Sequence, residues 1–344
     1  MRMSTPLKIG VIGLGRMGQL YARTLATRVS GVHLFAVADV SEQARTQVAD
    51  EFSVFHAFAY AHELIALPDL DAVVIATPTS THQDLVIAAA EAGKAIFCEK
   101  PLALTLEENH RVLEAVARAQ VPLQVGFMRR FDAGYQKAKE LIVDGRIGRP
   151  ISFQSIGRDP FCPRREYADP ALSGGLIVDM AIHDFDLARW LMGSEVKRVF
   201  AEGALLVCEE LAQVGDIDNA VITLRFVNGV LGTVEVSRNA FYGYDIRTEV
   251  LGSEGAVTIG VHQHTPVVLL TRSGAQHDVV PYLMERFGDA YRAQMQHFVN
   301  CLRDGQPPSV GGADALAALE IGIAATRAYQ TGRPITLSEL RVSS

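Results

Sequence analysis

Two residues of this 344-residue chain have the type and setting for acid-base chemistry on an alcohol: Lys100 and His183. Lys100 stands in Glu99-Lys100-Pro101, after the short apolar run Ala95–Cys98; His183 closes Asp179-Met180-Ala181-Ile182-His183. An ammonium polarises a bound hydroxyl oxygen and steadies alkoxide charge as it develops. An imidazole titrates near neutral pH and can take the hydroxyl proton. Pro101 keeps Lys100 out of helical conformation, which predicts a fixed loop at the end of a strand. Asp179 lies four residues before His183, a spacing that puts both on one face of a helix, where the acid orients the ring or holds a substrate hydroxyl. Two other readings of these residues stand beside this one. A D-x-x-x-H pair can ligate a metal, but no further ligands occur at an obvious spacing, so none is expected. The run His183-Asp184-Phe185-Asp186 can instead be a hydrogen-bonded structural corner.

An alcohol that gives up its proton can also give up hydride, and the first residues of the chain offer an acceptor site. Gly13-Leu14-Gly15-Arg16-Met17-Gly18 follows the apolar run Leu7–Ile12 and leads into a helical pattern. That is the context a dinucleotide fingerprint requires, with phosphates on the backbone at Gly13, Gly15, Arg16 and Met17. Asp39 ends the second apolar run, where a carboxylate accepts from the adenosine ribose hydroxyls and repels a 2'-phosphate, so NAD is favoured over NADP. A second loop, Thr77-Pro78-Thr79-Ser80-Thr81-His82, follows another strand; Thr77 and Pro78 are expected to wall the nicotinamide-side ribose. His82 is either a ligand contact or a capping and packing residue. Glu99 and Lys100 complete the expected cofactor contacts.

These groups need a frame, and the hydrophobic pattern supplies one. From Leu7 to Phe127 short apolar runs alternate with amphipathic stretches, which predicts βαβ units and a doubly wound parallel sheet. Strands are expected at Leu7–Ile12, Leu34–Ala38, Ala72–Ala76, Ala95–Cys98 and Leu123–Val125, and helices at Gly18–Thr27, Ser41–Glu51, Thr81–Ala92 and Leu106–Ala119. Thr105 and Glu108 form a capping box, and Gly93 stops the helix before it. Beyond Gly126 the pattern changes to strands separated by turns. Asn228-Gly229 predicts a tight hairpin, and Gly252–Gly255 a second turn. Helices near Gly175–Met192, Asp289–Asp304 and Ala313–Tyr329 cover one face of an open, mostly antiparallel sheet. The expected division is residues 1–126 and 127–344.

Composition narrows the partners. With 49% hydrophobic residues and a net charge of -7, the chain can bury a large core and lacks the basic run that nucleic acid or an anionic membrane would attract. No apolar stretch reaches membrane-spanning length, and the first residues lack the layout of a signal peptide. Cys98, Cys162, Cys208 and Cys301 are scattered without a C-x-x-C pair, so reduced cysteines and a cytoplasmic location are expected.

With fingerprint, Glu-Lys-Pro and D-x-x-x-H in this order, nearly the whole chain resembles the glucose-fructose oxidoreductase / inositol dehydrogenase / rhizopine catabolism family. The stretches Val125–Asp132, Asp179–Trp190 and Tyr242–Asp245 look most like its inositol 2-dehydrogenase branch. The resemblance implies a Rossmann domain, a C-terminal α/β domain and homotetramers built by packing open sheets. It implies that Lys100, Asp179 and His183 form the catalytic set, and that Arg130, Asp159 and Tyr242 contact the substrate. The chain departs from the branch at Phe131, where tyrosine is usual, and at Phe161-Cys162-Pro163-Arg164-Arg165. The implied substrate is therefore myo-inositol, scyllo-inositol or a pyranose sugar with a similar hydroxyl array. Two other readings are an NAD(H) sensor without catalysis and an oxidoreductase that never releases its cofactor.

Overall fold

The computed structural model describes residues 5–260 and 263–340. The chain divides into two compact units: residues up to Met128 with Asp289–Leu316, and Arg129–Gly288 with the chain from Ala317 onward. The first unit runs β1 (Leu7–Ile12), α1 (Arg16–Thr27), β2 (Val32–Ala38), α2 (Glu42–Phe52), β3 (His56–Phe58), α3 (Ala61–Ile65), β4 (Ala72–Ile75), α4 (His82–Glu91), β5 (Ala95–Cys98), α5 (Leu106–Ala119) and β6 (Leu123–Val125). Its six strands are parallel in the order β3-β2-β1-β4-β5-β6. That order reverses between β1 and β4, which opens a ligand crevice at the carboxyl ends of those two strands. β4 and β5 are buried along their whole length, as continuous apolar runs between two helical layers must be. Helix α5 starts at the expected box: Thr105 Oγ1 accepts from Glu108 N–H, and Glu108 returns to the Thr105 N–H, both at 3.1 Å.

The second unit runs α6 (Ala133–Val143), β7 (Pro150–Arg158), α7 (Arg165–Ala168), α8 (Pro170–Ser173), α9 (Gly175–Asp179), α10 (Ile182–Met192), β8 (Val196–Ala204), β9 (Asn219–Phe226), β10 (Leu231–Ser237), β11 (Asp245–Gly252), β12 (Ala256–Ile259), β13 (Gln263–Thr271) and β14 (Gly274–Val279). The chain ends with α11 (Leu283–Asp304), α12 (Gly312–Thr331) and β15 (Ile335–Thr336). Seven strands form one sheet in the order β12-β11-β7-β10-β9-β8-β15, with β7 and β10 parallel and the other pairs antiparallel. Both expected turns form: β9 and β10 pair across Asn228-Gly229, and β11 pairs β12 across Gly252–Gly255. In β9 and β10 burial alternates residue by residue, because one face packs against α9 and α10 while the other carries Val221, Thr223, Arg225, Leu231 and Thr233 outward.

Three expectations need correction. The segment Asp289–Leu316 belongs with the first unit: Val125 N–H donates to Val310 O (3.0 Å) and Gln124 Nε2 to Gln294 O (3.0 Å), ties between residues far apart in sequence. The run Gly175–Met192 is two helices interrupted at Met180-Ala181, so Asp179 ends α9 while His183 lies in the first turn of α10. Cys162 and Cys208 are joined in a disulfide, with Cα atoms 5.7 Å apart across a sequence separation of 46, while Cys98 and Cys301 are free and buried. Tertiary folding brings that pair together, so linear spacing could not report it.

Candidate active site

In the first unit the phosphate turn has the geometry its glycines predict. Gly13 adopts φ +86°, and a Cβ there would lie 2.8 Å from the Ala76 carbonyl. At Gly18 a Cβ would meet Gly13 O at 1.7 Å, so helix and strand pack as closely as a glycine allows. Gly15, the residue preceding α1, has open space where its Cβ would stand, and both it and Arg16 are exposed at the helix N-terminus. Asp39 ties the turn to β2: its Oδ2 accepts from Leu14 N–H (2.6 Å) and its Oδ1 from Ser41 N–H (2.7 Å). A carboxylate held this way keeps further lone pairs for ribose hydroxyls. An exposed glycine with open space at the start of α1 and a fixed acid after β2 fit a dinucleotide.

The loops after β4 and β5 are joined by His82. Its Nδ1 lies 2.8 Å from Pro101 O and its Nε2 3.0 Å from Thr77 O, and the ring is buried. A neutral imidazole donates to only one of these carbonyls. Burial, aided by the nearby Lys100 ammonium and opposed by the two carbonyls, moves the ring below its ordinary pKa. His82 thus braces the two loops through their backbone carbonyls. Glu99 is likewise turned inward: Oε1 accepts from the Tyr21 hydroxyl and Oε2 from Lys100 N–H (3.0 Å). Gln294 Nε2 donates to the same Tyr21 oxygen (2.9 Å). Burial first, and Glu99 second, push the Tyr21 hydroxyl well above its ordinary pKa, so it remains a donor. Glu99 thus supports the Lys100 backbone, an arrangement that only the sequence-distant Tyr21 and Gln294 reveal.

In the second unit Asp179 and His183 are both half-buried, on successive helices. Asp184 and Asp186, the acids that follow, are buried: Asp184 pairs with Arg129 (2.6 Å) and accepts from Ser155 Oγ (2.6 Å), while Asp186 takes two bonds from Arg130 (2.8 and 2.5 Å). The structural corner is therefore real, and it anchors α10. Arg130, expected at the substrate, has its guanidinium fixed by Asp186 and laid over the Trp190 ring, so any contact it makes comes from a side chain already held in place. The Tyr242 hydroxyl donates to Asp245 (2.8 Å) and accepts from Arg158 (2.8 Å). Asp159 has its backbone pinned to Ser237 O (2.9 Å) and to Ala240 N–H (2.7 Å), at the ends of β7 and β10. Phe161, in the unmatched run, packs on Tyr282 at 4.9 Å between ring centres.

Sequence reading missed Arg238, a buried guanidinium 2.6 Å from Asp216 and 3.5 Å from Asp179. Nothing local marks it, because its partners lie 22 and 59 positions away along the chain. Among the described residues no group of three or more His, Cys, Asp or Glu side chains could hold a metal, and no helix is long and apolar enough to cross a membrane.

A Rossmann sheet with an intact phosphate turn and an acid after β2, in a chain whose second unit carries acid-base side chains, defines an NAD-dependent oxidoreductase. Residues 7–127 match the model of the oxidoreductase family with an NAD-binding Rossmann fold, and residues 139–337 match the C-terminal alpha/beta domain of the same oxidoreductase family. The chain belongs to that family, as the sequence resemblance implied. It is 42% identical over 339 residues to scyllo-inositol 2-dehydrogenase (NAD(+)) of Bacillus subtilis, covering 98% of each chain. It is also 42% identical over 335 residues to myo-inositol 2-dehydrogenase of Thermotoga maritima, covering 97% of this chain and 99% of that one. Scyllo-inositol dehydrogenase from Lactobacillus casei, solved with NAD(H) and scyllo-inositol, superposes with a TM-score of 0.92 at 30% identity, over 97% of this chain and 99% of that one.

Proposed function

We propose that this enzyme oxidises one secondary ring hydroxyl of a cyclitol, myo- or scyllo-inositol, to the ketone. The observation that carries the reading is 42% identity, over nearly the full length of both chains, to dehydrogenases named for each of those two stereoisomers. NAD, when bound, supplies the two-electron acceptor at its nicotinamide ring. Lys100 holds the hydroxyl oxygen and lowers the cost of negative charge on it. His183 takes the hydroxyl proton on its imidazole. Asp179 steadies that imidazole or holds a neighbouring ring hydroxyl. Arg130, Asp159 and Tyr242 contact the substrate, and Thr77 and Pro78 wall the cofactor ribose. We infer further that the enzyme is a homotetramer, which sedimentation would report as about four times the 37.3 kDa chain mass. Its cytoplasmic location now rests on the need for NAD, since the cysteine argument fell with the Cys162–Cys208 bond.

The test is NADH formation with NAD and a panel of myo-inositol, scyllo-inositol, D-chiro-inositol and both enantiomers of glucose, repeated with NADP. Strong turnover of an inositol with NAD is expected. Turnover confined to glucose would move the enzyme to the sugar dehydrogenases with the same catalytic residues. Silence across the panel would overturn the reading. With the preferred substrate, Lys100→Ala should lower turnover by about 100-fold or more while NAD affinity stays close to wild type. Near-normal turnover in that variant would exclude the lysine from the chemistry.

A further inference from the structure

Helix α9 is five residues long, too short to hold itself in place, and it carries Asp179 at its C-terminal end. Its position is set by the burial of Leu176, Ile177 and Val178 together with what its two ends are bonded to. At the N-terminal end, Leu176 N–H lies 3.1 Å from both Asp216 carboxylate oxygens. At the C-terminal end, Asp179 Oδ2 lies 3.5 Å from Arg238 Nη2. Arg238 Nη1 in turn donates to Asp216 Oδ2 at 2.6 Å, which closes a circuit: Asp216, the helix, Asp179, Arg238 and back to Asp216. Gly175 permits the approach, since a Cβ there would stand 2.7 Å from Asp216 Oδ1. The Arg238 backbone is fixed as well, its N–H donating to Asp218 O at 2.9 Å.

The two carboxylates of this circuit differ. The Asp216 side chain is 6% exposed and that of Arg238 is 3% exposed, whereas 36% of the Asp179 side chain is open. A buried ion pair that served only to fasten the strand ends could stop at Asp216. Here the second nitrogen of the same planar fork reaches outward to Asp179, which a lysine ammonium could not do while keeping the first contact.

We propose that Arg238, held by Asp216, is the positioning residue for Asp179: it fixes α9 from both ends and keeps the Asp179 carboxylate ionised and correctly placed. The proposal rests on the catalytic reading of Asp179 given above. Among the charged or titratable groups near Asp179 in its own unit are Arg238 after β10, Asp216 before β9 and, along the chain, His183 on α10. Removing the Arg238 cation makes protonation easier at Asp179 and at His183 alike, so the acid limb of the rate profile should move to higher pH whichever of the two it reports.

The experiment compares wild type with Arg238→Met, Arg238→Lys, Asp216→Asn and Asp179→Asn, using myo-inositol and scyllo-inositol with NAD. In Arg238→Met, kcat should fall about tenfold or more, the KM for NAD should stay within about twofold, and the acid limb should rise by about one pH unit. Arg238→Lys should return the limb toward wild type while leaving kcat low. If Arg238→Met does not fold, Asp216→Asn takes its place: it removes an anion and leaves the Arg238 cation, so kcat should again fall while the acid limb moves to lower pH. Carboxyl carbon NMR of the labelled aspartates, with Asp179→Asn assigning the resonance, reads the same titration shift without turnover. An unmoved limb and an unmoved Asp179 resonance in variants that keep the native thermal midpoint would overturn the proposal. Near-normal turnover in Asp179→Asn would instead remove the catalytic reading on which it rests. Loss of turnover there with an unmoved limb in Arg238→Met and Asp216→Asn would remove this inference alone.

Discussion

At the scale of single residues, what surrounds Lys100 matters as much as Lys100 itself. Its N–H is held by Glu99, Glu99 by the Tyr21 hydroxyl, and Tyr21 by Gln294, all buried. Tyr21→Phe leaves the carboxylate and the Gln294 amide short of a partner in the interior, an expected cost of about 1–3 kcal/mol in stability. Turnover should fall with it because the Lys100 backbone loses its support. A thermal melt and a kcat measurement check both, and an unchanged kcat would show that the loop stands without Tyr21. Asp218 offers a second case with a definite pH signature. Burial opposes its charge, but N–H groups of Cys208, Leu206 and Val207, at 2.7, 2.9 and 2.6 Å, more than compensate and hold its carboxyl below the ordinary value. A carboxyl depressed on folding stabilises above its ordinary range, and the contribution is lost as pH falls through the folded value. Asp218→Asn should therefore cost roughly 2 kcal/mol near neutral pH, with the gap to wild type closing as pH falls below the ordinary carboxylate range. Melts at neutral and at acid pH would test this, and a gap that persisted in acid would contradict it.

At the scale of elements, two glycines set how a helix meets its neighbour. Gly18 lets α1 start against β1, and an added methyl would overlap Gly13 O. Gly18→Ala should push the phosphate turn out of shape, raising the NAD dissociation constant by about tenfold or more while the second unit keeps its structure, as NADH fluorescence and circular dichroism would show. Gly175 does the corresponding service for α9. The elements themselves were largely legible: β1, β5, β6 and α5 begin and end where apolar runs, turn glycines and the Thr105 capping box place them. The short β3 and α3 were not, because three and five residues carry too little periodicity to read. The break at Met180-Ala181 was also invisible, since a helical pattern runs through it and burial of Asp184 and Asp186 against distant arginines decides where α10 sits.

At the scale of the whole molecule, the Cys162–Cys208 bond ties the loop after β7 to the segment after β8, beside a small apolar cluster of Ala168, Cys208 and Leu211. Closing a loop of this sequence separation removes about 4 kcal/mol of unfolded-chain freedom. Reduction, or Cys208→Ser, should therefore lower the thermal midpoint of the second unit, and an unchanged melt under reductant would show that the bond adds nothing. Phe161, in the run that departs from the inositol 2-dehydrogenase branch, precedes Cys162 directly, so the same experiment run with the inositol panel reads whether specificity depends on this link. The sequence by itself determined the βαβ alternation of a parallel Rossmann sheet, the phosphate turn, the acid after β2 and the residue types that could transfer a proton. Each of these is a local pattern in which a few adjacent side chains dictate backbone shape. Only the tertiary structure decided that Glu99 and His82 serve the backbone, that Arg130 is locked to Asp186, that Cys162 finds Cys208, and that Arg238 reaches Asp179. Those outcomes depend on pairing buried charge and satisfying buried hydrogen bonds between groups tens of residues apart, which no local pattern encodes.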